Sequence, residues 1–559
     1  MSLSQKNTDV LIVGAGPVGL SLAYELHRHG VSCRIIDQKM APSETSRALG
    51  VFNRTLEVFE RMGIAQEITA KTQPVHFLNV YARGEHLMQV SFESRAFETP
   101  FTYPVFCPQT HVEEVLRNRL ATDIHVEWGV TLEAFEQDAT GVTVQLRDTR
   151  GDTSELRVSW LAGCDGGHSK VRKDLHLPFT GNSSETWLIA DVELDWSLAK
   201  DSVYGFFSPL GTVMAYPFPE GKRWRLLNTA AREQTDPASV AQQFTHAIAS
   251  VYHEEPVHVP EPLWTSVFTI QQRHVPMMRV GHCFVLGDAA HVHSPASGQG
   301  MNTGIQDAFN LAWKLALVAR NVAEESLLDS YTAERTPIAT TVLRGAKGFT
   351  LAIGNPTLTM QYVRNIIMKS FFLLKPLRSV LNGQVSKVLS GLSLSYKQSQ
   401  IVTEDWRVEG INTRNMGGLL SGERLPDIHY GFDNTARLYN LLHSTDHTVL
   451  LFAGLQSDET DLLRIRELAE YSAQQQKWLR PVLIAPNPES YDSLKEWSGT
   501  TTCILDQYGT LHHRFGAEKQ TLYLIRPDGY IGYRNQPATP GNFESYAKHV
   551  LGIRATVLV

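Results

Sequence analysis

Residues 9–37 read DVLIVGAGPVGLSLAYELHRHGVSCRIID. The run from Val10 to Val13 is short, apolar and rich in β-branched side chains, the composition of a parallel strand covered on both faces. GAGPVG follows without a spacer, and LSLAYELHRHG then repeats its apolar residues at helical spacing as far as a stop at Gly30. A second strand, VSCRIID, ends on Asp37, 18 residues beyond Gly19. Strand, glycine turn, helix and strand in this order predict a dinucleotide-binding unit. Gly14 supplies the tight turn, Gly16 lets a pyrophosphate approach the backbone, and Gly19 lets helix and strand pack closely. Asp37 would accept hydrogen bonds from a ribose hydroxyl. The pattern alone does not separate FAD from NAD.

Two later stretches repeat the theme of a strand that ends in a Gly/Asp turn. In FVLGDAAHVHSPASGQGMNTGIQDAFNLAWKL (residues 284–315), a short apolar run delivers Gly287 and Asp288. A loop with Pro295, Gly298 and Gly300 follows, and an apolar-periodic helix begins near Met301. The N–H groups at such a helix start, with the positive end of its dipole, suit a polar or anionic ligand. In VSWLAGCDGGHSKVRKDL (residues 158–175), Asp165 can sit beside a helix N-terminus and Ser169 can cap a helix. Arg172 would hold either Asp165 or nearby carbonyls.

Other segments fill the space between. PSETSRALG carries Arg47, read equally as a phosphate or ring contact and as a solvated loop residue, and a helix is expected from Asn53 to Met62. PQTHVEEVLRNRL opens a helix in which Thr110 and Glu113 form a capping box and Gln109 presents an amide just ahead of it. Alternating segments at FLNVYA and LMQVSF, and an aromatic β-rich region from Leu177 to Pro276, point to a second, sheet-based domain. Helices dominate from Ile305 to Ser395, with a kink expected at Pro337. Gly, Pro and Asp clusters around residues 400–430 read as a linker. From Tyr430 onward HTVLLFAG, PVLIAP, TTCILD and TLYLIRPDGYIGYR predict a separate α/β unit, with a hairpin at PDGYIGYR.

Composition narrows the classes further. The 559 residues suffice for several domains, and a formal net charge of −7 argues against a nucleic-acid partner. Five scattered cysteines form no CxxC pair and no zinc-ligand spacing, so no metal site is expected and a reducing compartment fits. The polar start MSLSQKNTDV lacks a signal-peptide core, and no membrane span is expected. The greasiest segment, Ile366 to Leu381, is broken by charges and reads as a packed helix. The expected location is the cytoplasm.

Taken together, GAGPVG with Asp37, CDGGHSKVR and GDAAHVHSPASGQGMN resemble the motifs of the class A flavoprotein monooxygenases, the single-component aromatic hydroxylases. The likeness spans nearly the whole chain and is similar to the phenol, chlorophenol and polyketide hydroxylase branch. It implies an α/β and α+β fold: a Rossmann-like FAD-binding domain (1–75, 104–180 and 277–350) with an inserted β-sheet substrate domain (76–103 and 181–276). A helical segment (351–404) and a linker with a C-terminal thioredoxin-like domain (405–559) complete it.

The resemblance also implies FAD as cofactor and NAD(P)H as co-substrate without a Rossmann domain of its own. Dioxygen would add at flavin C4a, and the resulting hydroperoxide would hydroxylate a phenolic or polycyclic aromatic substrate. Gly14, Gly16, Pro17, Gly19, Asp37 and Gln38 would hold the ADP half. Arg47 and Gln109 match flavin-contacting positions, Asp165 lies near the pyrophosphate, and Gly287 and Asp288 meet the ribityl chain. Pro295 would line the substrate side of the ring, while Gly298, Gly300, Met301 and Asn302 face its pyrimidine end. Tyr204, Tyr216 and Arg225 are the candidates to meet a substrate hydroxyl. A homodimer is allowed. An oxidase or an antibiotic-modifying oxygenase of the same fold stays open as an alternative; a flavin halogenase does not, since RWRLLN fails the WxWxIP motif.

Overall fold

The computed structural model describes residues 8–46, 48–230, 236–292, 298–353, 365–366, 370, 375–406, 417–431, 433, 435–499, 501–555 and 557. The first sheet is built as the opening stretch predicts. Strands β1 (Val10–Val13), β2 (Cys33–Asp37), β3 (Val126–Trp128), β4 (Trp160–Gly163) and β5 (Cys283–Val285) lie parallel in the order β5-β4-β1-β2-β3, and Arg279–Val280 adds an antiparallel edge beside β5. β1, β4 and β5 are buried along their whole length, which explains why they read as unbroken apolar runs.

The helices that serve this sheet are α1 (Pro17–Arg28), α2 (Asn53–Met62), α3 (Gln109–Leu120), α4 (Gln299–Ala319) and α5 (Asp329–Ile353). α1 and α4 pack closely: a methyl group added at Gly304 would sit 2.5 Å from Val18 Cγ2. Pro337 lies inside α5 without ending it. α3 starts at Gln109 on a Pro108 N-cap, so Thr110 is already helical and the expected capping box does not form; Glu113 instead accepts from Gln109 Nε2 at 2.8 Å. β3 joins the main sheet, while Thr131–Asp138, Gly141–Arg147 and Thr153–Val158 form a small antiparallel sheet.

An eight-stranded sheet stands beside this layer, in the order His291–Val292, Trp264–His274, Thr180–Glu193, Arg223–Asn228, Gly211–Pro217, Ser202–Ser208, Phe77–Ala82, Glu85–Ser91. Its two faces alternate residue by residue. Phe206, Val213, Ala215, Trp224 and Leu226 pack under the helix Pro237–Ala249. Trp187, Phe207, Met214 and Leu227 turn the other way, toward Leu49 and Phe106 of the first layer and Leu389 of the helix Lys375–Ser390.

The C-terminal part carries a mixed six-stranded sheet ordered Thr403–Trp406, Ile531–Gln536, Thr521–Ile525, His447–Phe452, Leu479–Ala485, Thr502–Leu505. Thr403–Trp406 was expected in a linker, but it pairs in parallel with Ile531–Gln536. The expected hairpin at PDGYIGYR is present. Most of the segment Ile366 to Leu381 lies outside the described residues. Among those described, no helix is long and apolar enough to cross a membrane, and no group of acidic, His and Cys side chains could hold a metal.

Candidate functional site

The turn between β1 and α1 tolerates no side chain at two of its glycines. Gly14 has φ +105°, and a methyl group there would lie 2.4 Å from the Cys164 carbonyl oxygen; one at Gly19 would lie 1.9 Å from the Gly14 carbonyl oxygen. At Gly16 the same methyl group would meet nothing within 4 Å, so the turn is open on that side. α1 begins at Pro17 without a side-chain cap, which leaves its first-turn N–H groups available. Asp37 Oδ2 accepts from Ala15 N at 2.8 Å and Oδ1 accepts from Lys39 N at 2.9 Å, so the β2 terminus braces the turn; Gln38 beside it is exposed.

The contact of Gly14 with Cys164 brings the second motif against the first. Asp165 Oδ2 accepts from Lys170 N at 2.7 Å and Val171 N at 3.2 Å, and Ser169 Oγ caps at Arg172 N, 3.0 Å away. Asp165 Oδ1 is a buried acceptor without a donor among the described residues, and burial pushes this carboxyl above its ordinary range. Of the two roles open to Arg172, the carbonyls take it: the guanidinium donates to Ala289 O and Gly167 O and lies over Phe179.

The third motif closes the group. Gly287, at φ +56°, is seated so tightly on the first turn of α1 that a methyl group would come within 2.8 Å of Val18 Cγ2. The exposed Asp288 follows, with Oδ1 3.7 Å from where a methyl group on Gly300 would stand. α4 begins at Gln299, ahead of the expected Met301, on a Gly298 N-cap at φ +61° with no side-chain cap. Asp288 therefore lies beside the N-terminal ends of two long helices, a place of positive potential. Asn302 is fully buried; its Oδ1 accepts from Phe52 N at 2.9 Å and its Nδ2 donates to Gly50 O and Gly298 O. The side chain thus pins the α4 start to the segment leading into α2.

Gln109 is fastened to the same segment. Its N–H donates to Ala48 O at 3.0 Å and Ser46 Oγ at 2.8 Å. Arg47, between those two residues, and Pro295 lie outside the described residues.

The three candidates on the large sheet do not share a face. Tyr216 and Arg225 are register partners, and Tyr216 packs with the cluster that faces Leu49 and Phe106. Tyr204 belongs to the opposite face, under the helix Pro237–Ala249, where its hydroxyl donates to Ala199 O at 2.9 Å and burial pushes its pKa up to about 12. It does not join the other two. Arg225 is buried and bidentate on Asp191, at 2.8 and 2.9 Å, and donates a further bond to Ser46 O at 2.6 Å. It ties the sheet to the loop that precedes Arg47. Burial raises the Tyr216 phenol well above its ordinary pKa, so at neutral pH it is a hydrogen-bond donor and not a base.

Asp191, Asp307, His291 and Arg335 were not singled out from the sequence. Asp307 Oδ2 lies 2.6 Å from His291 Nε2, and its Oδ1 accepts from Arg335 Nε at 2.7 Å. Burial opposes ionisation of Asp307, but His291 and Arg335 prevail and hold its carboxyl below the ordinary range. The available signal was a charged residue on a helix otherwise buried nearly all round.

The FAD binding domain family matches residues 7–346. The chain is 41% identical over 539 residues to 6-methylpretetramide 4-monooxygenase of Streptomyces rimosus, covering 94% of this chain and 90% of that protein. It is 29% identical over 534 residues to pentachlorophenol 4-monooxygenase of Sphingobium chlorophenolicum, covering 94% and 93%. Among solved structures, the OxyS anhydrotetracycline hydroxylase from Streptomyces rimosus aligns with a TM-score of 0.70 at 28% identity, covering 98% of this chain and all of that one.

Proposed function

The chain belongs to the FAD binding domain family of class A aromatic hydroxylases, and from that premise we propose that its substrate is a polycyclic phenolic polyketide. It is an NAD(P)H-dependent flavoprotein monooxygenase that hydroxylates aromatic substrates. The likeness to a pretetramide monooxygenase along almost the full length supports the polycyclic class over a simple phenol. The observation that carries the site is the seating of Gly14 on Cys164 and of Gly287 on Val18, which gathers three Gly/Asp turns at two uncapped helix N-termini.

The residues present fit FAD. Gly16 leaves open space at the turn, and Asp165 Oδ1 is a buried acceptor with capacity for a donor. In this reading the α1 N-terminus holds the pyrophosphate, Asp37 a ribose hydroxyl and Asp288 the ribityl chain. The first turn of α4, at Gly300, Met301 and Asn302, meets the pyrimidine end. Bound FAD supplies electron transfer from NAD(P)H and the activation of dioxygen. The protein binds and orients the ring, keeps water from it, and offers Tyr216 as a donor to the substrate side. The C-terminal sheet, with His447–Phe452 central and the Thr521–Ile525 hairpin antiparallel to it, supports a thioredoxin-like unit. Its one cysteine, Cys503, makes a structural role the fitting one.

Substrate-stimulated NAD(P)H oxidation tests the substrate class. Tetracyclic aromatics should stimulate consumption and yield a product one oxygen heavier. Stimulation by simple phenols alone would refute the polycyclic assignment.

A further inference from the structure

Asp307 belongs to α4 and is fully buried, yet its contacts reach back to a segment well ahead of that helix. Its Oδ2 accepts from Gly287 N at 3.1 Å and lies 2.6 Å from His291 Nε2. One carboxylate oxygen therefore holds both ends of the turn Gly287–His291. Within that turn Asp288 alone is exposed; Gly287, Ala289, Ala290 and His291 are buried. Arg335 secures the clamp from behind, with Nε on Asp307 Oδ1 at 2.7 Å, Nη2 on Thr303 O at 3.1 Å and Nη1 on Tyr396 Oη at 2.9 Å.

An apolar side chain would fill the space of Asp307 more cheaply. A buried carboxylate is costly to desolvate and persists only where each of its partners is placed, so it selects one arrangement of the groups around it. Here those groups are the two ends of the turn that presents Asp288. We infer that Asp307 is the positioning residue of this turn: it sets where Asp288 stands beside the N-terminal ends of α1 and α4. The inference rests on the reading of Asp288 as a ligand of the ribityl chain.

FAD titration of the full-length apoprotein, followed by flavin absorbance and fluorescence, tests it. The variants are Asp288→Ala, Asp307→Asn and His291→Phe, each with its apoprotein melting temperature recorded. Asp307→Asn and His291→Phe should each raise the FAD dissociation constant by about tenfold, the loss of one hydrogen bond to a charged group. They should also alter the shape of the bound-flavin absorbance band, because Asp288 is still present but displaced; Asp307→Asn should in addition lower the apoprotein melting temperature, since it leaves Arg335 buried beside a neutral amide, and His291→Phe should lower it less. If Asp307→Asn fails to fold, His291→Phe carries the test, since it leaves the Asp307–Arg335 pair in place. Parental affinity and spectrum in the foldable variants, beside a weakened Asp288→Ala, would overturn the positioning role and leave the flavin site standing. Parental affinity in Asp288→Ala would overturn the site reading, and this inference with it.

Discussion

Arg526 and Glu334 meet nitrogen for oxygen, Nη1 to Oε1 at 2.6 Å and Nη2 to Oε2 at 2.8 Å, with neither side chain exposed. The pair fastens the C-terminal hairpin to α5. Lys314 Nζ adds a bond to Glu334 Oε2 at 2.7 Å, and Asp528 Oδ1 accepts from Arg526 Nε at 3.0 Å. Two cations and two carboxylates thus balance in a site closed to water. Burial still pulls the Lys314 amine down to about 8. Glu334 and Arg335 are neighbours on α5, so the helix that clamps Asp307 on one side is gripped by the C-terminal unit on the other.

Arg526→Met is therefore expected to cost about 3–5 kcal/mol, the usual penalty for removing one partner of a buried charge pair. Among the described residues, the Asp528 carboxylate would keep only Asn310 and Trp313 as donors, at 3.2 Å each. Urea unfolding of the purified variant measures the loss. A change under about 1 kcal/mol would show that the network is incidental to stability.

Gly16→Ala and Gly19→Ala should separate cofactor binding from folding. At Gly19 the added methyl would stand 1.9 Å from a carbonyl oxygen, so a destabilised or insoluble protein is expected. At Gly16 it would meet no protein atom within 4 Å. That variant should fold, with stability changed by under about 1 kcal/mol, yet bind FAD at least about tenfold more weakly, because the methyl occupies the approach of the pyrophosphate. Flavin retained at parental affinity in Gly16→Ala would disprove the role given to that glycine.

The first layer was legible because its signals are local. The β1 turn and α1 are set by residues within one short stretch, and Gly14 and Gly19 show their reasons as soon as the backbone folds. Tyr204 was misplaced because alternation along a strand separates two faces without saying which one a helix will cover. Thr403–Trp406 has no apolar alternation (TEDW), so only its pairing with Ile531–Gln536 makes it a strand. Glu334 and Arg526 are 192 residues apart, and neither predicts the other until the chain is folded. The capping box at Thr110 failed for a local reason: Pro108 takes the N-cap and starts α3 two residues earlier.

Tyr216→Phe tests donation at the substrate side. A phenol raised by burial stays protonated through neutral pH, so it donates a hydrogen bond and titrates far above the working range. Removing it should lower kcat/KM for the aromatic substrate by about tenfold, the worth of one hydrogen bond in a dry site, and leave the pH profile between 6 and 9 in place. A lost or shifted limb in that profile would mean that Tyr216 acts as a base after all.

Acid should destabilise the protein through two buried histidines. His447 is fully buried between Trp313 and Trp478, with ring centroids at 5.1 and 5.4 Å, and neither ring nitrogen has a partner among the described residues. Burial lowers its pKa to about 3, and His29 is lowered to about 3 in the same way. Both groups are neutral in the folded protein, whereas in the unfolded chain they take up protons below about 6.5. Their contribution is complete above that pH and is lost as the pH falls toward 3, at about 1.4 kcal/mol per pH unit for each histidine. His447→Phe keeps an aromatic ring in the site and removes one proton-binding group from the balance. It should therefore cut the stability lost between pH 7 and pH 5 by about 2 kcal/mol, and be no less stable than the parent at pH 7.5. Urea unfolding at the three pH values decides the matter, and a variant with the parent's full acid slope would show that His447 is already solvated or paired in the folded state.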